Sequence, residues 1–510
     1  MADVTAFPFD TVLVANRGEI ALRVIRTLRA LGLRSVAVYS DADQDHPHVF
    51  EADDAVWIGP AEPRASYLDI PGLVAAAQAS GAQAVHPGYG FLSENDAFAR
   101  ACAEAGLVFI GPSADVLAAS ADKLAVKQQV AAAGVPVVPG PLTPVAESAD
   151  ALRAAAGEAG YPVLLKAVAG GGGKGMREVG SENELVHAAE AARREAGGAF
   201  GNAELYVEHV VRPARHVEVQ ILADHHGRVV VLGERDCSVQ RRHQKVLEET
   251  PAPGLAPEVR ERLHEAASNA ATALRYQNAG TVEFLLAADG SFYFLEMNRR
   301  LQVEHPVTET VFGIDLVAWQ LRIAAGEALP ERDGCAARGH AIEARIYAED
   351  PAHGFLPSSG TIQALREAEG PGIRVDSALT TGTEISPYYD PLLAKVIAHG
   401  ETRAEAIRRL DLALAETVIL GLRTNVGFVR RVLAHPDFVA GALRTDLIDR
   451  AEDVLLREPP PPPAVFLAAA AHALLPGRGS RVAPERGEEQ TVPSPWATLS
   501  TFRLGEEDAR

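Results

Sequence analysis

The sequence has few cysteines and no long apolar segment. Its three cysteines, Cys102, Cys237 and Cys335, are widely spaced and form no CxxC pair. That pattern argues against a disulfide framework or a zinc site and favours a reduced, cytoplasmic protein. The longest apolar run near the end, residues 464–475, is too short to span a bilayer and is interrupted by a histidine. Residues 1–15 lack a basic segment followed by an apolar core, so we expect no secretory signal.

Positive charge is also in deficit. The 510 residues carry 68 acidic side chains against 48 lysines and arginines, which gives a formal net charge of −20. We therefore expect no general binding to nucleic acid or to a membrane surface, and an anionic substrate must be drawn by a local basic pocket. With 47% apolar residues, the chain is long enough for about two to four domains with substantial cores.

Lysine is rarer still, because only six lysines occur among the 48 basic residues. Four of them lie in motif-like surroundings between residues 123 and 245: Lys123, Lys166, Lys174 and Lys245. The other two, Lys127 and Lys395, have no such context. A lysine ammonium is a compact point charge on a flexible stem, which suits contact with phosphate. The clustered lysines therefore indicate phosphate binding, with chance clustering as the alternative.

The stretch richest in chemistry is Gly280–Pro306, which reads GTVEFLLAADGSFYFLEMNRRLQVEHP. An Asp-Gly pair at 289–290 separates two runs of β-forming residues, which predicts a hairpin with a two-residue loop. That register places Glu283 directly opposite Glu296, and Asn298 two residues further along the same face.

Two carboxylates that face each other in this way repel unless a cation neutralises them. Two carboxylates and an amide oxygen suit a hard cation such as Mg²⁺ or Mn²⁺, so Glu283, Glu296 and Asn298 predict a metal site. The alternative is an exposed hairpin face that tolerates the pair, although the neighbouring phenylalanines and leucines disfavour a fully solvated ribbon. The following loop adds a cation, an amide and a base within six residues: Arg300, Gln302, Glu304 and His305.

The first ~120 residues alternate strand-like and helical segments, which predicts a parallel α/β layer. Strands are expected near residue 11 and at three further segments: Ser35–Tyr39, Ala82–His86 and Leu107–Ile110. The loop His86–Asn95, HPGYGFLSEN, follows a strand end, where open α/β sheets bind ligands. An ordinary Gly/Pro turn with Tyr89 and Phe91 packed inward is an equal alternative.

A glycine tract at 170–175, GGGGKG, follows a strand predicted at Tyr161–Ala169. No GK[ST] follows, so it is not a Walker A loop, but its backbone N–H groups can approach phosphate closely. We interpret it as a flexible lid over a nucleotide, with a plain linker as the alternative.

Two polar segments follow the glycine tract. Residues 204–222 predict two strands, and in the second His216, Glu218 and Gln220 share one face, which is either a pocket wall or solvent-facing. Residues 233–249, GERDCSVQRRHQKVLEE, form a polar run that is either an exposed loop or an anion-binding surface.

Six strings in this order resemble the biotin carboxylase subunit of biotin-dependent carboxylases: VANRGEIALRVIR, HPGYGFLSEN, KAVAGGGGKGMR, ERDCSVQRRHQKVLEE, EMNRRLQVEHPVTE and GHAIEARIYAEDP. The likeness runs from about residue 9 to residue 450 and is greatest to actinobacterial acyl-CoA carboxylase α-subunits. It implies an α/β protein with the ATP-grasp fold. Its parts would be an N-terminal α/β domain at 1–121, an ATP-grasp domain at 122–330 with its lid at about 140–210, a C-terminal biotin carboxylase domain at 331–455, and a Pro-rich linker with the start of a truncated connecting domain at 456–510.

The resemblance implies ATP- and bicarbonate-dependent carboxylation of biotin through carboxyphosphate, as the first half-reaction of an acyl-CoA carboxylase. Ten residues would hold ATP: Lys123, Lys166, Gly171, Gly172, Gly173, Glu208, His209, His216, Gln240 and His243, with Leu222 near the adenine or ribose. The metal ligands Glu283, Glu296 and Asn298 would bind Mg²⁺. Bicarbonate would lie against Lys245, Arg300, Gln302 and the backbone of Val303, with Glu304 as general base. Arg345 would stabilise the biotin enolate and Tyr89 would border the biotin pocket.

The chain departs from the family pattern in two ways. Where the family usually reads EMNTR, this chain has Arg299, which we expect to place a second cation beside the metal ligands and to perturb metal or bicarbonate affinity. The three methionines, Met1, Met176 and Met297, leave no AMKM-like biotin attachment motif. Biotin would therefore arrive on a carrier domain or protein, or as the free vitamin.

The expected partners follow from this reading. A carboxyltransferase β-subunit would accept the carboxyl group, and the chain would form a homodimer or a larger oligomer without nucleic acid or membrane. Two alternatives remain: another ATP-grasp ligase, or a catalytically silent nucleotide-binding scaffold subunit of a carboxylase complex.

Overall fold

A computed structural model describes residues 7–120, 122–168, 176–242, 244–330, 336–458 and 463–474. They belong to two compact units, Met1–Glu458 and Pro459–Arg510. The second unit begins at the proline run, and its described part is one helix, Pro463–Leu474. Within the described ranges, no helix combines the length and the apolar character needed to cross a membrane.

The first region is a parallel sheet with helices, as the alternating pattern predicts. Its strands are β1 (Thr11–Val14), β2 (Arg34–Tyr39), β3 (Asp54–Trp57), β4 (Ala84–His86) and β5 (Val108–Phe109). Its helices are α1 (Gly18–Ala30), α2 (Pro47–Glu51), α3 (Ile70–Ala79), α4 (Asp96–Glu104) and α5 (Ala114–Ala119). The strands lie in the order β3-β2-β1-β4-β5, all parallel. Strand β3 was not predicted: it has four residues, of which the two at its ends are exposed and the two between them half-buried.

Helix α1 and the turn before it hold together the loops at the carboxyl ends of strands β1 and β4. Ile20, Val24 and Leu28 recur at helical spacing and are buried in the core beneath the helix. Burial of each such side chain stabilises the fold by about 1.5–3 kcal/mol. In the turn before the helix, Asn16 donates from Nδ2 to the carbonyl oxygens of Pro87 and Tyr89, both at 2.8 Å. The turn after β1 and the loop after β4 are thereby held together.

In the described part of the middle region there are two sheets and six helices. The helices are α6 (Lys123–Ala132), α7 (Ala149–Ala159), α8 (Glu182–Phe200), α9 (Pro257–Ala273), α10 (His305–Phe312) and α11 (Leu316–Ala324). The strands are β6 (Val163–Ala167), β7 (Arg177–Val179), β8 (Leu205–His209), β9 (Ala214–Ala223), β10 (Val229–Arg241), β11 (Gln244–Thr250), β12 (Asn278–Ala287) and β13 (Phe292–Asn298). The polar run 233–249 thus lies in two strands that are largely buried, and the exposed-loop alternative is wrong.

The last region of the larger unit is β-rich and then largely helical. Its strands are β14 (His340–Tyr347), β15 (Glu349–Asp350), β16 (Leu356–Pro357), β17 (Gly360–Thr361), β18 (Ala364–Arg366), β19 (Ile373–Ser377), β20 (Glu384–Ile385), β21 (Leu392–Gly400) and β22 (Val418–Leu420). Its helices are α12 (Arg403–Glu416), α13 (Val426–Leu433), α14 (Pro436–Val439), α15 (Leu447–Arg450) and α16 (Glu452–Leu455).

One antiparallel sheet of eight strands joins the middle and last regions, in the order β13-β12-β9-β10-β11-β14-β21-β19. A second sheet, β7-β6-β8, packs with α7 and α8 around a core of its own. The glycine tract lies between β6 and β7 in the sequence, and residues 169–175 fall outside the described part. Residues from two regions can therefore converge on one continuous face of the large sheet.

The predicted hairpin is present, but its loop is longer than expected. The amide of Ala287 donates to the carbonyl oxygen of Ser291 at 2.8 Å, so the loop is residues 288–290. Gly290 has φ of +81°, the left-handed conformation that a three-residue loop requires. A bulge at Leu295 then takes up the extra residue. Beyond the bulge Glu283 pairs with Glu296, as predicted.

Candidate active site

An acidic row crosses three neighbouring strands of the large sheet. Glu218 on β9 pairs with Glu283 on β12, and Glu283 pairs with Glu296 on β13. Glu218 and Glu283 are buried, whereas the Glu296 side chain is 41% exposed. Directly opposed carboxylates destabilise a sheet, so cations must lie beside this row. The predicted pair is confirmed in its register, and the third member, Glu218, had been placed on a polar face without a role.

Lys245 supplies the central positive charge. From β11 its Nζ lies 2.6 Å from Glu218 Oε2, 2.9 Å from Glu283 Oε1 and 2.6 Å from Glu304 Oε1. Although burial alone would lower it, these carboxylates raise the pKa of Lys245 well above its usual value. Glu218 Oε1 also accepts from Nε of the fully buried Arg235 at 2.5 Å.

The effect on the acids is reciprocal. Burial alone would raise the pKa of Glu283 and of Glu304, but Lys245 holds both well below their usual range. His216 adds to this, because its Nε2 lies 3.1 Å from Glu283 Oε2. Although burial opposes it, Glu283 in turn raises the pKa of His216. The site is thus a dense, paired array of charges rather than a row of free carboxylates.

The loop between β13 and α10 brings the predicted bicarbonate residues beside this array. Arg300 donates from Nη1 to Gln302 Oε1 at 2.9 Å and from Nη2 to Asn298 Oδ1 at 3.2 Å. Asn298 and Gln302 both donate to Glu283 Oε1, at 2.8 and 3.2 Å. The loop and the predicted metal ligands therefore form one hydrogen-bonded set.

Glu304 bridges the two halves of the large sheet. One of its oxygens accepts from Lys245, and the other accepts from Arg345 Nη2 on β14 at 2.9 Å. Arg345 also donates from Nε to Glu248 Oε1 at 2.5 Å. Burial raises the pKa of Glu248 to about 7, even though Arg345 opposes the shift. The predicted base and the predicted biotin-facing arginine are therefore brought together.

Arg299 does not place its charge as expected. Its Nη1 donates to the carbonyl oxygen of Leu117 at 2.7 Å, and its Nε lies 3.5 Å from Glu94 Oε1. The other oxygen of Glu94 accepts from Arg300 Nε at 3.3 Å. The expectation of a second cation acting on the metal ligands is corrected, because the partners of Arg299 lie in the HPGYGFLSEN loop and at α5.

A second group of charges surrounds the lysines predicted to bind phosphate. Asp122 caps α6 by accepting from the backbone amides of Leu124 and Ala125, which places Lys123 in its first turn. Lys123 Nζ lies 3.0 Å from Glu296 Oε2, so this lysine adjoins the acidic row. The N-terminal end of α6 therefore delivers one ammonium to the exposed end of that row.

The second lysine predicted to bind phosphate lies on the smaller sheet. Lys166 Nζ on β6 lies 2.8 Å from Glu208 Oε2 on β8. Burial and the nearby Lys123 lower the pKa of Lys166 to about 8. Lys127, which had no motif-like context, is buried and pairs with the other oxygen of Glu208.

The remaining nucleotide candidates are spread more widely. Gln240 is buried on β10 and donates to the carbonyl of Cys237 at 3.5 Å. His209 Nδ1 lies 2.8 Å from the carbonyl oxygen of Gly160, and it follows Glu208 on the strand, so the two side chains face opposite sides. Leu222 lies in the apolar core beneath α1, which is incompatible with contact to adenine or ribose. Gly171, Gly172, Gly173 and His243 lie outside the described residues.

The loop that carries Tyr89 reaches the same region from the first domain. Tyr89 donates its hydroxyl to Glu19 Oε1, and the other oxygen of Glu19 lies 3.1 Å from Lys395 Nζ. Phe91, two residues on, stacks on Tyr67 with ring centroids 5.0 Å apart. The ring at 91 therefore packs inward, as the turn alternative held, while the hydroxyl at 89 is engaged with a buried acid.

Sequence reasoning gave no role to several residues of the site: Glu218, Arg235, Glu94, Glu248 and Lys395. Glu218 had a local signal, because it stands on the polar face of an alternating strand. Lys395 had a weaker one, as one of only six lysines. For Glu94 and Glu248 the partners are remote in sequence, and only the fold reveals them.

The described residues offer two groups whose ligand atoms all lie within 4.8 Å of one another: His216, Glu218 and Glu283, and Glu218, Cys237 and Glu304. Glu296 is in neither group. The donor set of carboxylate and amide oxygens at Glu283, Glu296 and Asn298 nonetheless suits a hard divalent cation, and such an ion would relieve the repulsion between the paired glutamates.

Three family models match the chain in succession. Residues 8–117 match the biotin carboxylase N-terminal domain, residues 122–332 the ATP-binding domain of the carbamoyl-phosphate synthase L chain, and residues 343–450 the biotin carboxylase C-terminal domain. Together with the mixed α/β architecture, these matches define the class of protein as an ATP-grasp ligase.

Relatives narrow the class. The biotin carboxylase of Nostoc sp. is 50% identical over 441 residues, which cover 86% of this chain and 98% of that protein. Mouse mitochondrial methylcrotonoyl-CoA carboxylase subunit alpha is 51% identical over 447 residues, 87% of this chain, and the match spans 62% of that subunit. The chain belongs to the biotin carboxylase family and is an ATP-dependent ligase.

Solved structures agree. A biotin carboxylase–β,γ-ATP complex from Campylobacter jejuni superimposes with a TM-score of 0.84 at 44% identity, covering 87% of this chain and 99% of that one. The biotin carboxylase domain dimer of Hydrogenobacter thermophilus 2-oxoglutarate carboxylase, in complex with MgADP, ADP and bicarbonate, also gives 0.84 at 44% identity, covering 88% and 99%. These relatives favour a biotin carboxylase over the other ATP-grasp ligases and the silent scaffold considered above.

Proposed function

We propose that this chain uses ATP and bicarbonate to carboxylate biotin, as the first half-reaction of an acyl-CoA carboxylase. The observation that carries the proposal is the junction at Lys245, whose ammonium contacts Glu283 on one side and Glu304 on the other. Nucleotide phosphate with its metal would approach from the side of Glu283, and bicarbonate from the side of Glu304. One buried cation would thus lie where the two anionic substrates must meet.

Lys123 and Lys166 would contact the phosphates, and Glu283, Glu296 and Asn298 would hold Mg²⁺ or Mn²⁺. The metal would supply charge neutralisation to the β- and γ-phosphate oxygens, which is most of what phosphoryl transfer requires. The nucleotide roles of Glu208, His209, His216, Gln240 and His243 and of the lid glycines stay predictions. Lys123 and Lys166 support the proposal because both ammonium groups are paired with carboxylates that phosphate can displace.

Arg300, Gln302 and the backbone of Val303 would hold bicarbonate, and Glu304 would remove its proton. Although burial alone would raise it, Lys245 and Arg345 keep the pKa of Glu304 low, which makes it a weak base. Bound bicarbonate and phosphate compete for the same cations, so their arrival would raise the pKa of Glu304 when a base is needed. Bicarbonate would then attack the γ-phosphorus, ADP would leave, and carboxyphosphate would break down to CO₂ and phosphate.

Biotin would enter between Arg345 and Tyr89, with Arg345 stabilising the enolate that forms when biotin loses its proton. Closure of the part around β6–β8 would exclude water, which would otherwise destroy carboxyphosphate. This role for the small sheet is supported by its core, which is separate from that of the large sheet.

The test is phosphate release from Mg·ATP and bicarbonate, measured with and without free biotin. We expect release that requires bicarbonate and is stimulated by biotin. Confirmed ATP binding without any biotin-stimulated release, even with a biotinylated carrier domain added, would contradict the proposal and favour the scaffold function.

A threonine at position 299 tests the corrected role of Arg299. In Arg299→Thr the carboxylate of Glu94 keeps the backbone amide of residue 299 and Arg300 but loses one guanidinium. Arg300 then becomes its sole charged partner among these contacts, and Glu94 competes there with bicarbonate, so the KM for bicarbonate should rise about two- to fivefold, the effect of one partly exposed ion pair. The Mg²⁺ concentration for half-maximal activity should stay within about twofold, because the Arg299 guanidinium contacts Glu94 and Leu117. A large shift in Mg²⁺ dependence would instead support direct action on the metal ligands.

We also propose the partners and the division of the chain. Biotin would be presented by a carrier domain or protein, a carboxyltransferase β-subunit would take the carboxyl group, and the chain would form at least a homodimer, as the dimeric Hydrogenobacter domain suggests. The domains would be residues 1–121, 122–330, 331–455 and 456–510, and the protein would act in the cytoplasm.

A further inference from the structure

Lys395 is fully buried in the middle of β21, although sequence context gave it no function. Its strand neighbours on the two sides are Arg345 on β14 and Asp376 on β19. A lysine directly opposite an arginine is unfavourable by like-charge repulsion, and burial of a lone ammonium costs several kcal/mol more. Such a residue persists only when its surroundings compensate the charge, so its partners are informative.

Those partners come from three separate elements. Nζ of Lys395 lies 3.1 Å from Glu19 Oε2 on α1, 3.7 Å from Asp376 Oδ2 on β19, and donates to the carbonyl oxygen of Val303 at 3.1 Å. Val303 stands between Gln302 and Glu304 in the bicarbonate loop. The same Glu19 accepts the hydroxyl of Tyr89 through its other oxygen. One ammonium therefore joins the bicarbonate loop to the residue that borders the biotin pocket.

We propose that Lys395 is a positioning residue for carboxylation: it fixes the spacing between the bicarbonate loop, through the Val303 carbonyl, and the biotin-bordering Tyr89, through Glu19. The inference rests on the proposed function. A lysine suits this place because its three N–H donors radiate from one point toward acceptors on three elements, whereas the planar fork of an arginine does not. The CO₂ that forms at the bicarbonate site must be captured by biotin. The distance between the bicarbonate loop and Tyr89 therefore decides whether the carboxyl group is transferred productively.

The first experiment compares wild type with Lys395→Met, which keeps the length of the side chain and removes the ammonium. We expect the KM for bicarbonate to rise about tenfold or more, as for loss of a charge-assisted hydrogen bond, and biotin stimulation to fall by a similar factor. The KM for ATP should stay within about twofold, since Lys395 contacts none of the nucleotide candidates that the structure describes. If only the amount of folded, active enzyme fell, with the KM values for bicarbonate and ATP and the biotin stimulation unchanged, Lys395 would be merely structural and the proposal overturned.

A second variant tests the link from Lys395 to Tyr89 separately from the link to Val303, and it is informative even if Lys395→Met does not fold. Glu19→Gln weakens the link to Tyr89 and leaves the contact of Lys395 with Val303, so the KM for biotin should rise about fivefold while that for bicarbonate stays within about twofold. An unchanged KM for biotin in this variant would contradict the proposed link through Glu19 to Tyr89. In a double-mutant cycle, Tyr89→Phe should add little to the biotin defect of Glu19→Gln, because the two side chains act as one unit.

Lys127→Met is the matched control, because Lys127 is also a buried lysine but pairs with Glu208 beside the phosphate lysines. It should change the KM for ATP and leave the bicarbonate value within about twofold. The same bicarbonate defect in both lysine variants would overturn the assignment to Lys395. Failure of the proposed function is distinguishable, because wild type itself would then show no biotin-stimulated phosphate release, and the inference would fall with it.

Discussion

Glu304→Gln is expected to lower bicarbonate-dependent phosphate release at least about 10²-fold, the usual contribution of a positioned general base. Glutamine keeps the shape of the side chain and can still accept a hydrogen bond from Lys245 or Arg345, but it cannot take a proton. Because Glu304 lies on the side of Lys245 where we propose that bicarbonate binds, the affinity for Mg·ATP should change by no more than about twofold. Steady-state kinetics with equilibrium binding of nucleotide would measure both quantities.

The matched control for that variant is Glu258→Gln, an exposed glutamate in the first turn of α9. It makes the same chemical change away from the site and should leave turnover and nucleotide affinity as in wild type. Near-normal turnover of Glu304→Gln would remove this residue from its proposed role as base. A loss of nucleotide affinity as large as the loss of turnover would instead show that Glu304 shapes the ATP site.

Lys245→Met should have the largest effect on both activity and stability. It leaves Glu218, Glu283 and Glu304 buried around a vacated cation, and the removal of one partner from a buried ion pair costs about 3–5 kcal/mol. Phosphate release should fall about 10²–10³-fold, as it does when one charge-stabilising donor is removed from an active site. The surface variant Arg430→Met, which breaks an exposed pair with Asp411, should cost less than about 1 kcal/mol.

The stability loss of Lys245→Met should depend on pH in a defined direction. In wild type, the low pKa values of Glu283 and Glu304 stabilise the fold above the unfolded value of about 4.3, and that contribution is lost as pH falls through the folded values. In the variant these pKa values rise, so both acids oppose folding at neutral pH and cease to do so once protonated. The difference in unfolding free energy should therefore shrink between pH 7 and about pH 5 in urea titrations. A constant difference across that range would contradict the assigned pairing.

The central prediction from sequence, Glu283 opposite Glu296, is confirmed although the loop from which it was derived is not. A two-residue loop and no bulge give the same register beyond residue 295 as the three-residue loop with one bulge that forms. Sequence patterns specified local elements well, because strand alternation and capping residues such as Asp122 act over a few residues. The short strand β3 was missed because two of its four residues are exposed and the other two only half-buried, so no buried face sets an alternation.

Contacts between segments that are remote in the sequence were harder to predict from it. Arg299 pairs with Glu94, which is 205 positions away in the sequence. The direction of the Arg299 side chain also depends on where α5 packs, because Leu117 of that helix accepts from it. The rarity of lysine marked Lys395 only weakly, and the reason for a lysine in an apolar strand becomes visible only when the fold brings Glu19 and Val303 to it. The order of strands in the large sheet decides which charges share a face, and no single segment encodes that order.

The bulge at Leu295 has a consequence for how this protein tolerates change. The tip of the hairpin, residues 288–290, is solvent-facing, and the irregularity lies between it and the paired glutamates. A change in the length of the tip can be absorbed by gain, loss or movement of the bulge before it reaches Glu283 and Glu296. The hairpin tip is therefore the natural place for insertions, whether in divergent homologues or as an engineered reporter, that leave the reacting groups in register.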